Sequence, residues 1–176
     1  MKKFLLLCSL VLIVAAVAFG HFRACVVSAS GATAAAATQG KIAAQWHCPA
    51  DTVNQKLEVG DVPEHSYAIS QGTCSLAAKE GALPEKSATI TEFDETWKSS
   101  YKFQGRANVT LLDGEKIFYA YGGNAPDSSK PPVESWNIDG GTGKYKAIQG
   151  SGSCAGKANP DGSSDWNCSG TYSLGE

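Results

Sequence analysis

Beyond residue 40 the sequence has almost no helical periodicity, which removes helical bundles and α/β folds from consideration. The spacings that build common chemical sites are also missing. There is no CxxC or HxH pair, and His47 and Cys48 are neighbours, so on a strand they point to opposite faces and cannot share a metal ion. No serine stands in a GxSxG elbow, which leaves a Ser–His–Asp hydrolase without local support. The run Ile138-Asp139-Gly140-Gly141-Thr142-Gly143-Lys144 superficially suggests a phosphate loop. It lacks the earlier glycine of that pattern, and Tyr145 stands where a Ser or Thr would hold magnesium. We read it as a turn in which at least one glycine takes positive φ, and expect neither cofactor nor metal. Strong positive charge is absent too. Acidic residues number 17 against 15 basic ones, and Lys2, Lys3 and Arg23 lie N-terminal to the domain. An acidic domain has no electrostatic reason to bind nucleic acid or anionic lipid.

What is present begins with an export signal. Lys2 and Lys3 supply a positive start, 4–20 carry no charge, and Ala16, Ala18 and Gly20 offer small residues at the spacing signal peptidase reads. The alternative is a retained anchor, since the apolar run is at the short edge of what spans a bilayer. The expected organisation is a signal peptide over 1–20, a flexible Ala/Ser/Gly linker over 21–40, and one domain over 41–176. The mature chain is expected to be secreted or periplasmic, with no membrane contact once the signal is removed. Cys25 is then an orphan thiol, unless it leaves with the signal segment.

The domain reads as strands. Candidates are 41–48, 65–76, 87–97, 101–112, 115–121, 133–138, 144–153 and 165–173, separated by turn residues. Eight such strands suit a sandwich or an antiparallel barrel. Asp113-Gly114 is placed in a tight primed hairpin turn. Pro160-Asp161-Gly162 is placed in a three-residue turn, with Pro160 presetting φ and Gly162 in the left-handed position. One short helix is expected near 75–81, and 126–132 reads as a polar loop.

Four cysteines fall in the domain, and four permit three pairings. A three-residue turn at 160–162 sets Cys154 directly opposite Cys168, close enough to bridge in a non-hydrogen-bonded pair. That leaves Cys48 for Cys74.

Glu92, Asp94 and Glu95 form a carboxylate cluster in which Glu92 and Asp94 share a strand face. A facing pair could do acid–base work, but we read this one as a solvated face. Glu134 and Asp139 flank Trp136 and are ambiguous. His65 is read as anchoring the strand it precedes. Aromatic residues are the stronger lead, because an eight-stranded barrel either fills its interior or holds one small ligand. The expected ligand-facing rings are Tyr67, Trp97, Phe103, Tyr119 and Trp136, with a mouth near the strands carrying several rings.

Gly140-Gly141-Thr142-Gly143-Lys144-Tyr145 followed by Gly150-Ser151-Gly152 resembles the late hairpin of the allene oxide cyclase and dirigent group. Asp113 to Phe118, Trp136, Gly170-Thr171-Tyr172 and the segment from His65 to Cys74 look like their counterparts in small secreted bacterial barrels of that group whose function is uncharacterised. The resemblance implies an all-β fold: a single eight-stranded antiparallel calycin-like β-barrel, here with two disulfides. It supplies no catalytic residue, and fold likeness alone does not license an activity. The expected function is a barrel binding a small apolar or aromatic ligand. The alternatives are an allene-oxide-cyclase-like or dirigent-like enzyme that steers a reactive intermediate by shape, and a structural or inhibitory extracytoplasmic protein.

Overall fold

The computed structural model describes residues 38–175 apart from 51, 128 and 129. The export segment, Cys25 and most of the linker lie outside these residues. Nine strands follow in order: β1 (Thr38–Cys48), β2 (Val53–Glu58), β3 (His65–Lys79), β4 (Glu85–Trp97), β5 (Ser100–Leu111), β6 (Lys116–Ala125), β7 (Val133–Gly141), β8 (Gln149–Ala158) and β9 (Ser164–Leu174). Each pairs antiparallel with its neighbours in the order β1-β9-β8-β7-β6-β5-β4-β3, and β1 pairs again with β3. Eight strands therefore close into a calycin-like barrel, and the sandwich is excluded. Closure leaves no free edge among the eight. β2 is a ninth strand. It pairs only with β3, over 66–71, prolonging the edge that β1 occupies over 75–79.

Several local expectations need correction. The 75–81 segment is not helical. β3 runs as a strand to Lys79, because β1 offers it a hydrogen-bonding edge at Ala44, Gln45, Trp46 and His47. β2 was not anticipated, since 54–58 are polar or exposed and show no alternation of burial. The Asp113-Gly114 turn is a three-residue loop instead of a two-residue primed turn. Gly114 N–H donates to the Leu111 carbonyl at 3.1 Å and only Gly114, at φ 86°, is left-handed. This is a type I turn closed by a glycine bulge. The 160–162 turn repeats it as expected, with Gly162 at φ 85°. β8 starts at Gln149, not near Lys144, because Gly143–Tyr145 forms a single 3₁₀ turn. Gly140 and Gly143 take φ 113° and 53°, as the structural reading of that glycine run requires.

The disulfides are Cys48–Cys74 and Cys154–Cys168, with Cα–Cα separations of 4.1 and 4.0 Å. Cys154 stands opposite Cys168 in the β8–β9 register. Loops of these lengths stabilise by roughly 3 kcal/mol each in the chain-entropy account. Two such bridges are consistent with folding in an oxidising compartment.

The interior is organised in rows that cross the strands. One runs Glu92–Gly105–Tyr121–Trp136–Gly152–Gly170–Ile42 through successive register pairs. Its neighbour on one side runs Asp94–Phe103–Gly123–Glu134–Cys154–Cys168–Ala44. Along both rows aromatic rings lie beside glycines. The Tyr121 ring covers Gly105, Phe103 covers Gly123, and the Trp136 indole lies across Gly152 and Gly170 together. A Cβ at Gly152 would stand 2.2 Å from the Trp136 ring and 2.1 Å from the Ser169 carbonyl oxygen. Glycine is required here by close approach, and it lets large rings lie flat against the barrel wall instead of filling the centre.

Candidate ligand cavity

Because the rings lie flat, the barrel is hollow. A cavity of about 650 Å³ opens between Pro49, the 130–132 loop and the 162–164 turn, and descends between the strands. Its wall is mainly apolar: Ile42, Trp46, Ala88, Ile90, Ala107, Val109, Tyr119, Trp136 and Trp166, with both disulfides. This volume lies in the range of small-molecule sites, which pair such walls with a few placed polar groups. A wider, open recess of about 1030 Å³ lies where β1, β7, β8 and β9 meet the 146–148 segment, lined by polar residues such as Gln39, Asp139 and Lys146.

Apart from Lys130, Lys157, Ser163 and Ser164, the polar side chains lining the cavity are carboxyls and phenols. Glu85 and Glu92 come from β4, Glu134 from β7, Tyr101 from β5, and Tyr119 and Tyr121 from β6. The Tyr101 hydroxyl lies 2.9 Å from Glu92 Oε1 and 2.7 Å from Asp94 Oδ1. A phenol has one proton to donate. It can satisfy one carboxylate, and the second short contact is a hydrogen bond only if the other carboxyl keeps its proton and donates to the phenol oxygen. Ser70 Oγ donates to the far oxygen of Asp94 at 3.4 Å. Burial, helped by the Asp94 carboxyl, pushes Glu92 up to about 8. Burial pushes Glu134 up to about 7. Glu85 is raised by burial, although it accepts a hydrogen bond from Tyr119 at 2.9 Å and feels Lys79. The phenols of Tyr101, Tyr119 and Tyr121 are raised by burial and then by these carboxyls. The Tyr121 hydroxyl is buried and makes no well-formed hydrogen bond among the described residues, although the Glu92 carboxyl is near enough to act on it.

The reading of Glu92 and Asp94 as a solvated face is therefore overturned. Both point inward, and Asp94 is 8 % exposed. Of the five rings expected to face a ligand, Tyr119 and Trp136 line the cavity, meeting edge to face at 5.5 Å. Phe103 is buried behind it, packed on Tyr121 and Trp166, which do line it. Tyr67 and Trp97 are on the outer face of β3 and β4. There Tyr67 stacks on Phe93, and Trp97 packs on His65 at 4.3 Å. His65 is 5 % exposed and sits 2.7 Å from Asp61 and 3.3 Å from Glu95, so it anchors the start of β3 as read. Asp139 pairs outside with Arg106. The rings missed as lining residues are Trp46, Tyr101, Tyr121 and Trp166; a strict in–out alternation through Trp136 and Tyr119 would have selected Tyr121.

Glu134 and the sulfurs of Cys154 and Cys168 bring donor atoms within 4.8 Å of one another. The two sulfurs are bonded to each other, which leaves one carboxylate and no metal-binding set at that point.

No protein-family model matches the chain, and no curated protein does. Among solved structures it is similar to the pterocarpan synthase dirigent protein GePTS1, with a TM-score of 0.50 and 10 % sequence identity over 80 % of this chain and 90 % of that one. At that identity the likeness concerns the fold, and it establishes a dirigent-like β-barrel.

Proposed function

We propose that the protein is an extracytoplasmic carrier or receptor that binds a small, largely aromatic molecule inside the barrel. The observation that carries this reading is the hollow interior: about 650 Å³ with an apolar, ring-lined wall and a few carboxyls and phenols. A barrel serving a structural or inhibitory role through its loops has no need to keep its centre empty. The cavity's neutral polar groups suit a phenol or carbonyl at the end of the ligand, since a protonated Glu92 donates a hydrogen bond.

Isothermal titration with 2-naphthol at neutral pH tests the reading. Saturable one-to-one binding is expected. Ala107→Leu, which adds a branched side chain to the cavity wall and leaves every carboxyl in place, should weaken it by about tenfold, the scale of a few methylenes competing for the same space. Equal binding to both proteins, or to neither, contradicts the proposal.

A second reading is supported by the Glu92–Tyr101–Asp94 chain. A carboxyl that keeps its proton near neutrality is a competent general acid, and the dirigent-like fold makes shape-steering of a reactive intermediate the matching enzymatic role. Under that reading Glu92→Gln retains ligand affinity and loses turnover.

A further inference from the structure

The cavity holds more acid than a neutral ligand needs. Glu85, Glu92 and Glu134 reach it from two strands, and Asp94 is joined to Glu92 through Tyr101. No ion pair among the described residues includes any of these four carboxyls. The cations nearest the cavity are Lys130 and Lys157, exposed at its rim, and Lys79, which acts on Glu85. Buried carboxyls are ordinarily paired with a cation or with convergent donors. Here Glu134 has burial as the cause of its shift and no opposing partner.

The geometry between the carboxyls is specific. In the row Glu92–Gly105–Tyr121–Trp136, Gly105 has no side chain, so the Tyr121 ring reaches across it toward Glu92. The Tyr121 hydroxyl is acted on chiefly by Glu92, and also by Glu134 and Asp94. Glu92 from β4, Glu134 from β7 and the rings of Tyr121, Trp136 and Trp166 line the cavity together. Aromatic rings beside carboxylates are the environment that holds an organic ammonium group, through cation–π attraction and charge neutralisation together.

Resting on the cavity reading above, we propose that the ligand is an organic cation: an aromatic or apolar body carrying an ammonium group, which seats among Glu92, Glu134 and Tyr121. The cation supplies the counter-charge that the chain withholds. Its binding should draw protons off the carboxyls, so affinity should rise with pH. A neutral phenol has the opposite dependence, because it uses the protonated form.

The test is titration of the full chain with benzyltrimethylammonium, whose charge is independent of pH, beside 2-naphthol. Benzyltrimethylammonium should bind about tenfold or more tightly at about pH 8.5 than at about pH 6, as the carboxyls ionise across that range. Glu92→Gln should remove most of that gain, while 2-naphthol should bind wild type no more tightly at about pH 8.5 than at about pH 6. Binding of 2-naphthol without binding of the ammonium overturns this inference and leaves the cavity reading standing. Ammonium binding that ignores both pH and Glu92→Gln also overturns it. Failure of both probes overturns the two together.

Discussion

Gly152→Val is expected to destabilise the barrel by about 3–4 kcal/mol, near the upper end for a single substitution. The new Cβ would meet the Ser169 carbonyl and the Trp136 ring at 2.1 and 2.2 Å. The carbonyl belongs to the backbone of β9, which is held by full pairing to β1 and β8, so it cannot withdraw. The indole could move only into the cavity. Loss of stability should therefore be accompanied by loss of ligand binding in whatever protein remains folded. Ser151→Val is the control. Ser151 is on the opposite, exposed face of β8, where substitutions change stability by about 0.5 kcal/mol or less. Denaturant melts of the two variants give the comparison, and equal midpoints would show that the ring-over-glycine packing does not hold the wall.

The second large effect is on pH. Glu92 ionises at about 8 in the folded protein against an ordinary 4.5, so the folded state holds its proton more tightly than the unfolded chain does. The stability this confers is complete below about pH 4.5 and falls as pH rises toward 8. Glu134, raised to about 7, acts in the same direction over a shorter range. Glu92 alone should cost the wild type about 2–4 kcal/mol between about pH 5 and pH 8, allowing for its partial exposure and its link to Asp94. The exposed carboxyls act oppositely. Asp61, Asp113 and Asp165 are held below their ordinary range by hydrogen bonds from His65, Lys144 and His47 respectively. Their contribution is lost in acid. Thermal stability should thus peak near pH 5 and decline on both sides. Glu92→Gln should flatten the alkaline limb and melt above the wild type at about pH 8. A wild type whose stability rises steadily from about pH 5 to pH 8 would contradict an interior carboxyl that resists ionisation.

The disulfide pairing could be derived from the sequence because it depends on one local quantity, the length of the 160–162 turn. That turn fixes the register of β8 against β9 and hence sets Cys154 on Cys168. The strand count was legible for a related reason: turn residues mark most boundaries. β2 was not, because an edge strand with one partner needs neither alternation nor apolar residues. The 75–81 segment, rich in Ala, Leu and Lys, carries helix propensity that pairing to β1 overrides.

The site itself was harder to read, and β4 shows why. Alternation correctly put Glu92 and Asp94 on one face and Phe93 and Trp97 on the other. Which face is inside is ordinarily settled by polarity, and here polarity misleads. Phe93 and Trp97 are each 40 % exposed, and Asp94 is 8 % exposed. The carboxyls are inside and the rings outside, so a pattern-based choice inverts the strand. The glycines of β5, β8 and β9 carried the missing information. A glycine in a strand marks where a ring from the next strand must lie, and Gly105 beside Glu92 and Tyr121 marks the polar end of the cavity.

The most direct test of the central claim, that the barrel interior and not the aromatic outer face is the binding site, is a nuclear magnetic resonance titration of the indole N–H signals with 2-naphthol. Trp136 and Trp166 should shift together and saturate with one equivalent, while Trp97 stays unmoved. Shifts confined to Trp97, with Trp136 and Trp166 unchanged, would place the ligand on the outer face of β3 and β4 and contradict the account.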